Sequence, residues 1–313
     1  MNWKIKSAIQ NVVAILPKRL SYSVYYFLQR NFGALKYGQH NPKSRLVAAI
    51  TLWKYILNEG NVPVNKVFYE IGTGRVPVMP FAYYLMGANE TITVDLNKYL
   101  KEDQCVEMVQ YIVDNKQEVL DMFGDYLVEN RLSTILDYYA KDNFSLSEFL
   151  DICNITYIAP LDAVKTQFKS SSIDYCTSYT VFEHIPGIIL EKILTECNRV
   201  LAPNGLHIHR IDYSDHFSHS DKNISPINFL KYSDMVWSWY AGNSYMYMNR
   251  LRHDDFQLLF RKAKCEIVRQ STDVDESITS VLDKMQGQLD MRFIGKSKET
   301  LSTTGAWFVM RKY

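Results

Sequence analysis

Acidic side chains are missing from the first 58 residues, where nine lysines and arginines stand without a counter-charge and Glu59 is the first acid. All 34 acidic residues of the 313-residue chain lie beyond that point, so the remainder is net negative although the whole carries a formal charge of only +1. An acidic body behind a basic arm offers no basic face for nucleic acid, and no nucleic-acid partner is expected. Cysteine is sparse: the five residues Cys105, Cys153, Cys176, Cys197 and Cys265 are odd in number and never closely spaced, which excludes a zinc cluster and a disulfide framework. They read as reduced thiols of a cytoplasmic protein. No apolar run approaches the roughly 20 residues that span a bilayer. No small-residue cleavage site follows the first apolar segment either, so no signal peptide is expected.

The arm, residues 1–60, reads as helical. Ile5, Ala8, Ile9, Val12, Val13 and Leu16 recur at three- and four-residue spacing, with Lys4, Lys6, Ser7, Gln10 and Asn11 on the other side, and Pro17 closes the helix. Such a helix either caps the domain with its apolar face or lies on a membrane, with basic residues against anionic lipid and Trp3 at the interface. In the second case residues 1–30 place the cytoplasmic protein at the inner face of a membrane. A further helix with Leu46, Ile50, Trp53 and Leu57 on one face precedes Gly60 and Pro63, and a first strand is expected from Val64 or Val67.

The stretch from Val67 to Asn97 organises the rest. An apolar run ends in Glu70 and the turn Gly72-Thr73-Gly74, a helix-length segment follows, and a second β-rich run ends in Asp95. This is the nucleotide half of a doubly wound α/β sheet. The two glycines let a ligand approach the main chain. The third glycine of a dinucleotide fingerprint is missing, and Glu70 would repel a diphosphate while attracting a cation. Asp95 is suited to accept hydrogen bonds from a ribose diol.

A phosphate-free cationic nucleoside is S-adenosylmethionine, and here the chain resembles the class I S-adenosylmethionine-dependent methyltransferases, the broad family that includes the ubiquinone-pathway methyltransferases. Glu70, Gly72 and Gly74 match its first motif and Asp95 its ribose acid. Asp162 with Ala163, in Ile158-Ala-Pro-Leu-Asp-Ala163, matches the acid beside the adenine. Ser172 to His184 resembles the fourth-strand motif, and Cys197-Asn-Arg-Val-Leu-Ala-Pro-Asn-Gly205 the turn before the fifth strand. The resemblance implies a Rossmann-like, mostly parallel seven-stranded sheet over residues 61–313, with Thr180 also at the cofactor. In some ubiquinone-pathway relatives the glutamates and histidine at this place bind magnesium; this chain has Glu183 and His184 but Thr180 where a further acid would stand.

Residues 101–151, rich in acids and almost free of glycine, read as a helical insertion: a lid, a homodimer surface or a surface decoration. Four of the seven histidines fall between positions 207 and 219. His207 and His209 alternate with apolar residues as on a strand. Beyond it lie Asp212, Asp215, His216, His219 and Asp221, where the methyl acceptor is expected. A divalent metal on Asp212, His216 and His219 is one reading, an Asp215–His216 or His219 base another, with His184 a further candidate, and a polar loop closed by turn bonds a third. The acceptor-side segment, about 212–252, continues with seven aromatic residues between Ser225 and Met248, a ligand wall or simply core. Arg250 or Arg252 can hold an acceptor carboxylate or phosphate, or form a surface ion pair. The expected reaction is methyl transfer to a hydroxyl of a sugar in a surface glycan or of a small phenolic or carboxylic metabolite. N-methylation, and a scaffold that binds S-adenosylmethionine without turnover, are the alternatives.

Overall fold

The computed structural model describes residues 1–274 and 276–313. In chain order the described residues form α1 (Trp3–Ile15), α2 (Lys18–Phe32), α3 (Lys43–Asn58), β1 (Val67–Ile71), α4 (Val78–Leu85), β2 (Glu90–Val94), α5 (Glu102–Asp114), α6 (Lys116–Phe123), α7 (Glu129–Tyr139), α8 (Leu146–Ile152) and β3 (Ile155–Ile158). There follow β4 (Ile173–Tyr179), α9 (Gly187–Val200), β5 (Leu201–Asp212), α10 (Asp234–Ala241), α11 (His253–Lys262), β6 (Cys265–Val274), α12 (Glu276–Met285), α13 (Lys298–Ser302) and β7 (Thr303–Lys312). Among the described residues the strands make one seven-stranded sheet in the order β3-β2-β1-β4-β5-β7-β6. β1 pairs in parallel with β2 and β4, and β2 in parallel with β3. β7 runs against β5: the Tyr213 amide donates to the Thr304 carbonyl near one end, and the Lys312 ammonium donates to the Leu201 carbonyl near the other.

The chain divides into two units. One comprises residues 36–179, 193–208 and 309–313. Its first strand is Val-Phe-Tyr-Glu-Ile, buried from Phe68 onward, as expected of a central strand covered on both faces. Phe68 stacks on Trp53 of α3 and on Tyr83 of α4, with ring centroids 5.7 and 4.5 Å apart, which fixes both helices on β1. The segment 101–151 is helical as expected. Its α5 buries Cys105, Met108, Val109 and Ile112, a seam at i, i+3, i+4 and i+7, while Val113 faces outward. Arg131 of α7 donates to the carbonyls of Tyr84 and Ala88 at 2.6 and 2.7 Å, satisfying acceptors at the buried C-terminal end of α4.

The other unit comprises residues 1–35, 180–192 and 209–308. Its core joins Trp3 to Phe217, Phe229, Trp237, Met246, Leu282 and Phe293. Of the aromatic residues of 225–248, Phe229 and Trp237 are therefore core and Tyr232 and Tyr240 pack against it, while Trp239 and Tyr247 are exposed. Two expectations for the arm are corrected here. Trp3 is buried in this core, held by its amide on Asp221 Oδ2 at 2.9 Å, and is no interfacial anchor. α1 also packs by its polar side: Ser7, Gln10 and Val13 are buried with Trp3, while Ile5, Ile9 and Val12 are exposed. The reason is local. Ser7 Oγ donates to the Tyr240 carbonyl at 2.7 Å, Asn11 to that of Trp239 at 2.8 Å, and Gln10 to Tyr25 Oη at 2.9 Å.

Candidate functional site

Within the first unit the strand ends assemble as the register demands. Glu70 lies opposite Thr93 of β2 and Thr177 of β4. Its Oε2 accepts from Thr93 Oγ1 at 2.9 Å, and Thr93 Oγ1 is 2.7 Å from Thr73 Oγ1. Burial, only partly offset by Thr93 and the distant charge of Arg45, pushes its carboxyl up to about 8. A carboxyl so placed is protonated at neutral pH until a cation joins it.

The turn after β1 needs both glycines, with Gly72 at φ +89° and Gly74 at φ +69°. Gly72 donates to the Val94 carbonyl at 2.8 Å, and Gly74 donates to Asp95 Oδ2 at 3.1 Å. Asp95 Oδ1 accepts from the Asn97 amide at 3.2 Å. Each oxygen keeps a lone pair for a further donor, as a vicinal diol would supply. Burial raises the Asp95 carboxyl to about 6 against these amide bonds. The turn after β3 is tied to the same place, because the Leu161 amide donates to the Asp95 carbonyl at 2.9 Å. Asp162 follows, its Oδ1 taking the Val164 amide at 3.0 Å, with Ala163 buried beside it.

Within the second unit Thr180 holds φ +52°, a conformation a β-branched residue adopts only under constraint. Its amide donates to the Arg210 carbonyl at 2.9 Å. Three residues on, Glu183 is 2% exposed and neither carboxylate oxygen has a hydrogen-bond partner. Burial drives its pKa well up. His184 Nδ1 lies 2.8 Å from the Tyr247 carbonyl, so Nδ1–H donates and the lone pair sits on Nε2. The residue keeps solvent access, yet burial of its ring and the neighbouring His216 draw its pKa down and hold it neutral. Asn249, which sequence reasoning missed, clamps this turn: its side-chain amide donates to the carbonyls of Phe182 and Ile185 at 2.8 Å each, and its main-chain amide to that of Glu183 at 2.8 Å.

The loop after β5 brings His216 to His184, with ring centroids 4.8 Å apart, and stacks it on His219 at 5.0 Å. Asp212 Oδ2 is 3.4 Å from His216 Nε2 and 3.7 Å from His219 Nε2, while its Oδ1 accepts from the Ser214 amide at 2.8 Å. Burial opposes ionisation of Asp212, but His216 and Ser214 outweigh it and hold the carboxyl down to about 2. Asp215 is spent inside the loop, Oδ1 on the Phe217 amide at 2.9 Å and Oδ2 on the Asn228 side chain at 3.1 Å. Asp221 serves α1. His207 and His209 are fully buried, His207 Nε2 bonding Asn198 Oδ1 at 2.8 Å and His209 packing on the Phe182 ring.

Donor atoms of Glu183, His184 and His216 all lie within 4.8 Å of one another, so His216 stands between this set and the Asp212–His219 side of the loop. Arg250 makes an ion pair, with the exposed Asp234, and Arg252 makes its bonds to main-chain carbonyls. Arg252 is fully buried and donates to the carbonyls of Tyr213, Thr300, Leu301 and Thr303, while Arg250 binds those of Phe229 and Tyr232 together with Asp234.

The strand order, with an antiparallel β7 beside β5 and acids at the ends of β1 and β2, is the Rossmann-like, mostly parallel seven-stranded sheet that was expected. Residues 132–209 match the methyltransferase domain family. The matched segment runs from α7 through β3, β4 and α9 into β5. Among solved structures it is similar to the PH0226 protein of Pyrococcus horikoshii OT3, at 14% identity over 91% of this chain and 98% of that one, with a TM-score of 0.48. It is similar also to an S-adenosylmethionine-dependent methyltransferase from Methanosarcina mazei, at 12% identity over 82% and 96% with a TM-score of 0.43. A third is the geranyl diphosphate C-methyltransferase of Streptomyces coelicolor A3(2), at 9% identity over 84% and 80% with a TM-score of 0.44. No curated protein matches the sequence.

Proposed function

We propose that this enzyme transfers the methyl group of S-adenosylmethionine to a hydroxyl oxygen of a small metabolite or of a sugar in a surface glycan. Glu70 receives the donor's ammonium group, Asp95 its ribose diol and Asp162 with Ala163 its adenine. The oxygen attacks the methyl carbon as the carbon–sulfur bond breaks, and both electrons of that bond remain on sulfur as a neutral thioether. The sulfonium is already a good leaving group, so the protein's work is alignment, exclusion of water and removal of the hydroxyl proton. His216 takes that proton. Asp212 Oδ2 lies 3.4 Å from His216 Nε2, and Asp212, held ionised, stabilises the imidazolium that forms. This Asp212–His216 pair is the observation that carries the reading. An amine acceptor would call for less of it.

One observation favours a second reading of the same residues. The two unpartnered oxygens of Glu183, Nε2 of His184 and the ring of His216 fit a divalent ion, and a mixed imidazole and carboxylate set suits a transition metal. The Tyr247 carbonyl on His184 Nδ1 orients that ring as second-sphere carbonyls do. Such an ion, when bound, would acidify the acceptor hydroxyl.

The test supplies methyl-labelled S-adenosylmethionine with parallel panels of phenols, sugars and amines. Labelled ethers are expected, with His216→Ala lowering kcat about 10²- to 10⁴-fold and leaving cofactor affinity unchanged. Product from amines alone would overturn O-methylation, and cofactor binding without any product would leave a binding scaffold. Metal content near one ion per chain, lost in Glu183→Gln together with activity, would decide for the second reading.

A further inference from the structure

α1 is amphipathic, but it is mounted backwards. Ile5, Ile9 and Val12 lie at i, i+4 and i+7 on the stripe opposite the buried Trp3, Ser7, Gln10 and Val13. Val12 is 66% exposed and Ile15, at the end of the helix, 84%. The polar side is committed to the protein through Ser7, Gln10 and Asn11, so the helix cannot simply roll its aliphatic side inward without losing those bonds. Asn11 bonds the carbonyl of Trp239, whose indole is 75% exposed and extends the apolar surface onto α10. Exposed Lys4, Lys18 and Arg19 lie along the same two helices, and no acid occurs before Glu59.

We propose that this face is a docking surface for an anionic lipid bilayer, lying in the headgroup region with the aliphatic row and Trp239 inserted. Aliphatic and aromatic side chains beside uncompensated cations are the complement of a negatively charged interface. The same charges argue against a second copy of the chain as occupant, because a symmetric contact would set Lys4, Lys18 and Arg19 against their own counterparts. No helix among the described residues is long and apolar enough to cross a membrane, so the contact is peripheral. An enzyme held there meets acceptors that are themselves attached to lipid.

The test is co-sedimentation of the full chain with vesicles of phosphatidylcholine alone and with about 30% phosphatidylserine. Binding to the anionic vesicles is expected to be at least about tenfold tighter, and to weaken again as salt rises from about 0.1 to 0.5 M. Val12→Asp/Ile15→Asp changes only exposed positions and is expected to weaken vesicle binding about tenfold or more, with melting temperature and S-adenosylmethionine affinity unchanged. Lys18→Glu/Arg19→Glu should remove the preference for anionic lipid while sparing the fold. Equal binding to both vesicle types would overturn the proposal. So would anionic binding indifferent to Val12→Asp/Ile15→Asp, or a solution dimer that this variant dissociates.

Discussion

Glu70→Gln isolates one buried carboxyl. In the folded protein that group titrates at about 8, and in the unfolded chain near the ordinary glutamate value of about 4.3. Between those values the folded state binds the extra proton, so its stabilising contribution is full below about pH 4 and is lost as pH rises through 8. At 1.36 kcal/mol per unit, the whole shift is of order 5 kcal/mol, and the part lost between pH 6 and pH 8 is of order 2 kcal/mol. Burial of Glu183 adds a slope of the same sign, so the informative quantity is wild type minus variant. Glutamine keeps the shape and can accept from Thr93 Oγ1. The ligand-free wild type is therefore expected to lose about 2 kcal/mol relative to Glu70→Gln over this window, read by denaturant unfolding at each pH. Saturating S-adenosylmethionine should abolish that difference in slope, since an ammonium group beside Glu70 favours the carboxylate. Calorimetry should then show proton release on binding to wild type and none from this position in the variant. Parallel stability curves without the cofactor would refute the buried protonated carboxyl, and a slope difference that persists at saturating S-adenosylmethionine would refute its role as the cation's partner.

Thr180→Gly should stabilise the ligand-free protein by about 1 kcal/mol in denaturant unfolding, because relief of a positive φ exceeds the entropic cost of glycine. If Thr180 positions the cofactor, affinity for S-adenosylmethionine falls in the same variant by calorimetry. Arg252→Met leaves the carbonyls of Tyr213, Thr300, Leu301 and Thr303 without their donor, and should cost about 3–5 kcal/mol of stability on unfolding by urea. An effect on activity without loss of stability would restore Arg252 to the acceptor site.

The nucleotide half was legible because its signals are local. A glycine turn demands positive φ, and the strand period fixes which way Glu70 points, so the Glu70–Thr93 pairing and the Asp95–Gly74 bond follow from residues within one βαβ unit. The histidine loop was half legible. A cluster between positions 207 and 219 announces polar chemistry, yet composition cannot separate Asp212, which meets His216, from Asp215, which closes the loop on Phe217 and Asn228. The convergence of His216 on Glu183 and His184 joins segments some thirty residues apart, and Asn249 reaches them from farther still. Arg252 misled for the same reason, since its carbonyl partners lie on other segments and a charged side chain carries no sign that it will be buried, whereas Arg250 does make an ion pair, with Asp234. α1 shows the limit of periodicity most clearly. A 3.6-residue pattern states that a helix has an apolar side, but the hydroxyl and amides of Ser7, Gln10 and Asn11 find specific acceptors on Tyr240, Tyr25 and Trp239, and those bonds choose the inward face. A helix that turns its aliphatic side to the exterior leaves that surface exposed among the described residues, and the anionic bilayer proposed for it would offer both a nonpolar interior and a negative surface to what α1 and α2 present.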